Sequence, residues 1–230
     1  MNKKEIADMQ KSVYSLVLSD DVVAQIDKLA YTMNTNRSNM INQILAEYVS
    51  YVTPEKRMHD IFKRMEDMLT GRDTFQILMQ PSDTMFSLRS ALAYKYNPTV
   101  KYSVELYRTE SDCIGELRVS LRTQNSSLIL YMMQFCKLWV QMEESAIGPV
   151  EYAIGDGKFA RKLRLHRSPD QAEASSSVTP DVLGEWIAGY VSVFDEALKT
   201  YFYHLSEPEV AVRKIRALYR QYLNSCHNII

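Results

Sequence analysis

The spacing of apolar positions changes several times along the chain, and each change marks a change of element. Residues 12–19, SVYSLVLS, alternate with a period of two: Tyr14, Leu16 and Leu18 point one way, and Val13, Ser15 and Val17 the other. That is the pattern of a strand with one buried face. From Val22 the spacing becomes helical, with Ile26, Leu29, Ala30 and Met33 on one stripe. Ser19 or Asp20 offers an N-cap, and the acidic pair Asp20 and Asp21 suits the positive end of a helix dipole. The helix is predicted to stop near Asn34, in a polar turn through Thr35, Asn36 and Arg37 where Asn34 tolerates a left-handed backbone. A second helix is predicted from about Ser38, with Met40, Ile41, Ile44, Leu45, Tyr48 and Val49 as its stripe and Pro54 as its end.

Helical spacing resumes over residues 55–69, with Met58, Ile61, Phe62, Met65 and Leu69 on one face, and reads as a connecting helix. Turn signals at Gly71 and at Pro81-Ser82-Asp83 open a second domain. From Met85 to Arg122 the period returns to two: Val100, Tyr102, Val104 and Leu106 alternate with polar positions, as do Leu117, Val119 and Leu121. With turns at Asn97-Pro98 and Ser111-Asp112, this predicts three strands of an antiparallel meander. Residues 126–144 are apolar nearly all round, which fits a core helix lying on a sheet, although the first half also fits a buried strand. Residues 150–154 and 158–165 flank Gly155-Asp156-Gly157 and predict a hairpin. After a polar loop at residues 168–178, expected to be mobile, two helices follow. Thr179-Pro180 opens the first, and Ser206-Glu207-Pro208-Glu209 the last, which turns Ile215, Leu218, Tyr219 and Tyr222 inward.

A strand and two helices in about 40 residues leave too much surface wet to fold alone. A second copy removes the difficulty: two strands pair antiparallel, and four helices close over the ribbon. The stretch LVLSDDVVAQIDKLAYTMNTNRSNMINQILAEYV, residues 16–49, resembles the Arc/MetJ/CopG ribbon-helix-helix superfamily and is closest to CopG-like repressors. The likeness lies in the Leu-Ser that ends the strand and the Asn-Arg-Ser-Asn-Met-Ile that opens the second helix. The expected fold class is therefore α+β: an intertwined ribbon-helix-helix dimer module over residues 1–54, a connecting helix over 55–72, and an α+β domain over 73–230 with an antiparallel sheet and covering helices.

The resemblance implies double-stranded DNA as a partner and homodimers or higher homo-oligomers as the working state. Val13, Ser15 and Val17 would then face the major groove, which admits a two-stranded ribbon. The N–H groups of Ser38 and Asn39 would hold a phosphate at the start of the second helix, with Arg37 beside them. Lys11, with Lys3 and Lys4, would extend the contact as a basic arm. This chain departs from its relatives in placing two valines on the outward ribbon positions, where bidentate base reading needs polar side chains. Sequence discrimination is expected to be modest and to lean on Ser15, DNA shape and the joining of several dimers.

Charge complicates the picture. The chain has 27 basic and 28 acidic residues, and up to Pro54 the basic residues Lys3, Lys4, Lys11, Lys28 and Arg37 are outnumbered by Glu5, Asp8, Asp20, Asp21, Asp27 and Glu47. A DNA-binding surface must therefore be local. The one concentrated basic run is Lys158, Arg161, Lys162, Arg164, His166 and Arg167. On a strand, Lys158, Lys162, Arg164 and His166 share a face that Arg118 and Arg122 of a neighbouring strand can join. This face is either a second anion surface or an edge strand whose cations deter aggregation. A further basic stretch, Arg213, Lys214, Arg216 and Arg220, suits the end of a helix.

Apolar residues at 46% and charged residues at 24% fit a folded protein. No apolar run approaches the ~18 residues that span a bilayer, and the first ten residues are polar, so a cytoplasmic location without a membrane partner is expected. His59, His166, His204 and His227 are dispersed, and Cys113, Cys136 and Cys226 form no Cys-x-x-Cys pair, which argues against a metal site or a disulfide framework. No Gly-rich phosphate loop or nucleophile elbow occurs, so neither cofactor nor enzyme activity is expected. The 15 tyrosines and 12 methionines either line a ligand pocket between sheet and helices or fill a core.

The expected function is a transcriptional regulator, such as a repressor, whose C-terminal domain oligomerises, senses a small-molecule effector or recruits a protein partner. The alternatives are a plasmid or phage DNA-partition or transfer adaptor, and a protein-interaction domain dimerised by a ribbon-helix-helix that does not touch DNA.

Overall fold

A computed structural model describes residues 13–49, 51–71, 74–78, 82–95, 97–108, 113–165 and 178–225. Among these the chain is α+β, with six helices and one antiparallel six-stranded sheet. It divides into two compact units between residues 57 and 58, within the first turn of α3.

In the first unit, α1 spans Asp20–Thr32 and α2 spans Arg37–Tyr48. Asp20 and Asp21 sit in the first turn of α1 as expected, and Asn34 takes the left-handed conformation (φ 50°) that closes the helix. The Thr35 N–H donates to the Ala30 carbonyl at 2.8 Å, satisfying an orphan acceptor of the last turn. Asn36 caps α2, its side-chain oxygen accepting from the Asn39 N–H at 2.9 Å. Pro54 does not end α2. That helix stops at Tyr48, and Pro54 is the first residue of α3 (Pro54–Thr70), where a missing N–H costs nothing. Thr53 supplies the cap, its hydroxyl accepting from the Lys56 N–H at 3.2 Å. The enclosed core of this unit is small: Ile26, Ala30 and Met40, with Ile41 packed against them. Residues 13–19 join no strand within the chain.

The second unit is built on the sheet β1-β2-β3-β4-β6-β5, with every neighbouring pair antiparallel. Its strands are β1 (Phe75–Ile77), β2 (Met85–Ala91), β3 (Thr99–Leu106), β4 (Cys113–Leu121), β5 (Tyr152–Gly155) and β6 (Lys158–Arg164). Three of them form the expected meander, and β5 and β6 form the expected hairpin around Gly157 at φ 67°. The alternation holds: Val100, Tyr102, Val104 and Leu106 of β3 and Leu117, Val119 and Leu121 of β4 are buried. The Ser111-Asp112 turn and most of the polar loop at 168–178 lie outside the described residues.

Three long helices complete this unit: α4 (Ser126–Ile147), α5 (Pro180–Tyr203) and α6 (Pro208–Ser225). The apolar segment at 126–144 is thus a helix throughout, capped by Asn125, whose side chain accepts from the Ser127 and Leu128 N–H groups. Phe135 and Trp139 of α4 and Phe194 of α5 share an aromatic centre with Phe159 of β6, the ring centroids of Phe159 and Phe194 lying 5.2 Å apart. From Met58 onward α3 is part of this core and not a free connector. Met58, Ile61, Phe62, Met65 and Leu69 are buried, and Phe62 stacks on Phe86 at 5.8 Å. The methionines and tyrosines answer a core requirement too: Met65, Met132, Tyr102 and Tyr190 are enclosed.

Candidate nucleic-acid interface

The expected ribbon residues stand open to water. Val13 and Val17 are 99% and 103% exposed, and Ser15 is exposed with them. On the opposite side of the same segment Tyr14, Leu16 and Leu18 are 81%, 60% and 40% exposed, so shelter grows toward α1 on that side alone. Lys11 lies outside the described residues.

At the start of α2 two of the candidate phosphate groups, Arg37 and the Asn39 N–H, are engaged. Arg37 donates from Nε to Asp27 Oδ1 at 2.7 Å and from Nη2 to Asp27 Oδ2 at 2.6 Å, a bidentate pair between α1 and α2. The pairing holds the Asp27 carboxyl below its ordinary value and raises Arg37. The Asn39 N–H serves the Asn36 cap. Ser38 is exposed beside them. The sequence reading missed Asp27 as a partner because it lies ten positions away, on the facing helix.

The basic run on β6 divides between two faces of the sheet. Lys158, Lys162 and Arg164 point outward, Lys158 and Arg164 exposed and Lys162 half-buried. Lys162 is held by Glu116 at 3.0 Å and by the Tyr107 hydroxyl at 2.6 Å, and Arg164 pairs with Glu151. The hydrogen bonds that Lys162 donates to Tyr107 and Glu116 raise its pKa well above its usual value. Burial of Glu116 works against its ionisation, but Lys162 and Arg118 together hold its carboxyl below the usual range. Arg118 also reaches Glu105, at 2.8 Å. The surface expected from Lys158, Lys162 and Arg164 is therefore neutralised over the last two, by Glu116 of β4 and Glu151 on the approach to β5. His166 lies outside the described residues.

Arg161 points the other way and is 1% exposed. It meets Glu143 of α4, equally buried, at 2.8 Å, and its guanidinium lies 4.6 Å from the centre of the Tyr190 ring. The Tyr190 hydroxyl donates to Glu143 at 3.2 Å and accepts from Trp139 Nε1 at 3.0 Å. Burial pushes the Glu143 carboxyl up, against the pull of Arg161, and pushes the Tyr190 hydroxyl well up. This enclosed network ties β6 to α4 and α5 and leaves Arg161 no access to a ligand at the surface.

A shallow groove along α6 runs past Arg213, Arg216 and Arg220. Burial pushes the Cys136 thiol up to about 12, which keeps it protonated and unreactive near neutral pH. Among the described residues no cluster of His, Cys, Asp or Glu could hold a metal ion, and no helix is long and apolar enough to cross a membrane. Comparison of the chain with protein-family models, with curated proteins and with solved structures found no match.

Proposed function

We propose that the chain is a DNA-binding regulator that works as a homodimer or higher oligomer, through an N-terminal ribbon-helix-helix of residues 1–54. One observation carries this reading. Large apolar side chains exposed among the described residues, apart from Leu130, Tyr152 and Tyr203, all belong to residues 13–52. An apolar load of this kind marks a surface that another chain covers. The graded shelter of Tyr14, Leu16 and Leu18 gives that surface a direction: a second copy of the segment, paired antiparallel, would close those side chains against both sets of helices.

In such a dimer Val13, Ser15 and Val17 face away from the helices and enter the major groove, the valines against thymine methyl groups and Ser15 against a base edge. To bind a phosphate, Arg37 exchanges one anion, Asp27, for another. Both partners of that pair are exposed, so the exchange gives up little. The second unit serves oligomerisation, effector sensing or partner binding. A cytoplasmic location, with no cofactor, fits a regulator of this kind.

A second reading is favoured by the Asp27–Arg37 pair and by the acidic balance of the first 54 residues: a dimer clamp for an interaction domain, with no DNA contact. Selection of fragments bound from the organism's own DNA, followed by titration at rising salt, separates the two. The DNA-binding reading expects a dimer at micromolar concentration, affinity that falls steeply with salt, and weaker binding on replacing Ser15 or Arg37. A monomer at that concentration overturns both readings; a dimer indifferent to DNA leaves the clamp.

A further inference from the structure

We propose that the outward face of the sheet carries a second contact to the DNA phosphate backbone, made by Arg89, Lys101 and Lys158. It rests on the reading that the N-terminal unit binds DNA. The three residues come from strands far apart in sequence, and the register places them in one row: Arg89 pairs with Lys101, Lys101 with Ser120, and Ser120 with Lys158. All three are exposed. Arg89 donates from Nε to Gln76 of the neighbouring β1 at 2.8 Å, a neutral partner that leaves its charge uncompensated by that bond. Arg122, just past the end of β4, is exposed at the same end of the sheet.

The edge-strand explanation for surface cations does not apply. The edges of the sheet are β1 and β5, whereas the row sits on β2, β3 and β6, all paired on both sides. Nor are these cations absorbed like their neighbours. Glu105 and Glu116 lie four positions along their strands from Lys101 and Ser120, roughly 13 Å of backbone at the rise of a strand, and their carboxylates are taken up by Arg118 and Lys162. The carboxylate nearest in sequence to any of the three is Asp156 in the β5–β6 turn, two positions from Lys158.

The shape of the row selects the ligand. A small anion needs donors converging on a point, but here they are strung over three strand spacings, roughly 15 Å. That length corresponds to the rise of about four nucleotides along the axis of B-DNA at 3.4 Å each, enough for a row of phosphates on one strand. Among the outward neighbours Ala91, Thr99, Ser120 and Ala160 are small, and Arg118 adds a further long cationic side chain beside Ser120, so a phosphate backbone can approach the row. These neighbours supply no bulky apolar side chain of the kind that inserts into a lipid surface. Phosphate contacts of this sort strengthen and position binding without reading sequence. They would supply the basic surface that the acidic N-terminal unit lacks.

The test uses the full chain, with its selected DNA fragment and a scrambled duplex, titrated by fluorescence anisotropy between about 50 and 200 mM salt. Replacing Arg89, Lys101 and Lys158 together by Gln is expected to weaken both duplexes alike, on the order of tenfold or more at low salt. The log–log salt dependence should become shallower by roughly 3, at about 0.9 per phosphate lost. Lys101→Glu with Lys158→Glu should deepen the loss, with an unchanged melting temperature showing that the fold is intact. An unaltered salt slope in the Gln variant overturns the proposal and leaves the ribbon reading standing. If Val17→Asp has no effect while the Gln variant abolishes binding, the ribbon reading falls and the sheet contact survives. No binding by the unmodified chain at any salt removes both. Loss of binding to phosphatidylserine vesicles, with DNA binding unchanged, overturns the choice of DNA.

Discussion

In the second unit Leu88, Tyr102, Trp139 and Phe194 are fully enclosed, whereas in the first Leu29, Leu45, Tyr48 and Val49 remain open to water although they lie on the same kind of helical stripe. The two units obey one rule of patterning and differ in how much surface they bring to it. The second has a sheet broad enough to lay α4 and α5 upon and returns α3 to the same core. The first has two short helices and an unpaired segment, and its core cluster consists of three buried side chains among the described residues. Each ordered residue costs roughly 1–2 kcal/mol of backbone entropy, while a buried Leu or Met contributes about 1.5–3 kcal/mol. An amphipathic stripe thus specifies which face is to be buried; whether one chain can bury it is decided by size.

The contrast is most directly broken at Leu16. A carboxylate there (Leu16→Glu) would be enclosed in the proposed ribbon without a partner, at a cost of several kcal/mol. The expected outcome is a monomer in sedimentation equilibrium, with loss of DNA binding. Both tryptophans, Trp139 and Trp186, lie in the second unit, so their fluorescence should not change. A Leu16→Glu protein that stays dimeric would refute the difference drawn above.

A substitution in the opposite unit should have the opposite signature. Arg161→Ala strands the buried Glu143 carboxylate and is expected to lower the urea-unfolding stability of the second unit by about 3–5 kcal/mol while the dimer persists. Replacing both partners, Glu143→Leu with Arg161→Met, should recover most of that loss. Gly184→Ala comes next. A Cβ there would stand 2.7 Å from the Ile61 carbonyl oxygen and 2.8 Å from Arg64 Cβ, where α3 and α5 cross. Overpacking of this kind costs about 1–3 kcal/mol, and the melting temperature of the tryptophan signal should fall accordingly.

Cys136 tests enclosure through pH. Burial lifts its pKa from 9.0 to about 12, so over that range the folded state keeps a proton that the unfolded chain releases. Stability of the second unit should therefore fall as pH rises through that window, and Cys136→Ala should flatten the fall. In a chain with Cys113 and Cys226 replaced by Ser, iodoacetamide at neutral pH should modify Cys136 only after unfolding. The smallest effect belongs to Arg37→Gln. Its ion pair is exposed, so stability should barely change, while salt-dependent DNA affinity should weaken. A large shift in the melting temperature would show that the pair holds the first unit together.

Much of the fold was legible because it is local. Asn34, Thr179 and Gly157 each announce a cap or turn within a few residues, and the apolar positions of α3, α4 and α5 repeat over several turns. Where local signals conflict or are short, the reading slipped. Pro54 is equally at home after one helix or at the start of the next, and β1, three residues long, is too short to show alternation. The candidate interface was legible only in part. Lys158, Lys162 and Arg164 do share a face, but Glu105 and Glu116 reach it from strands 40 to 60 positions away, and no sequence spacing reports them.

The order of apolar and polar positions by itself determined the helices and the main strands of the sheet, because backbone geometry imposes periods of 3.6 and 2 on any chain. Only the tertiary structure decided that Arg161 is enclosed with Glu143, that Arg37 is held by Asp27, and that Arg89, Lys101 and Lys158 form one row. Charge is felt through space, and the register of strands sets distances that separation along the chain does not contain.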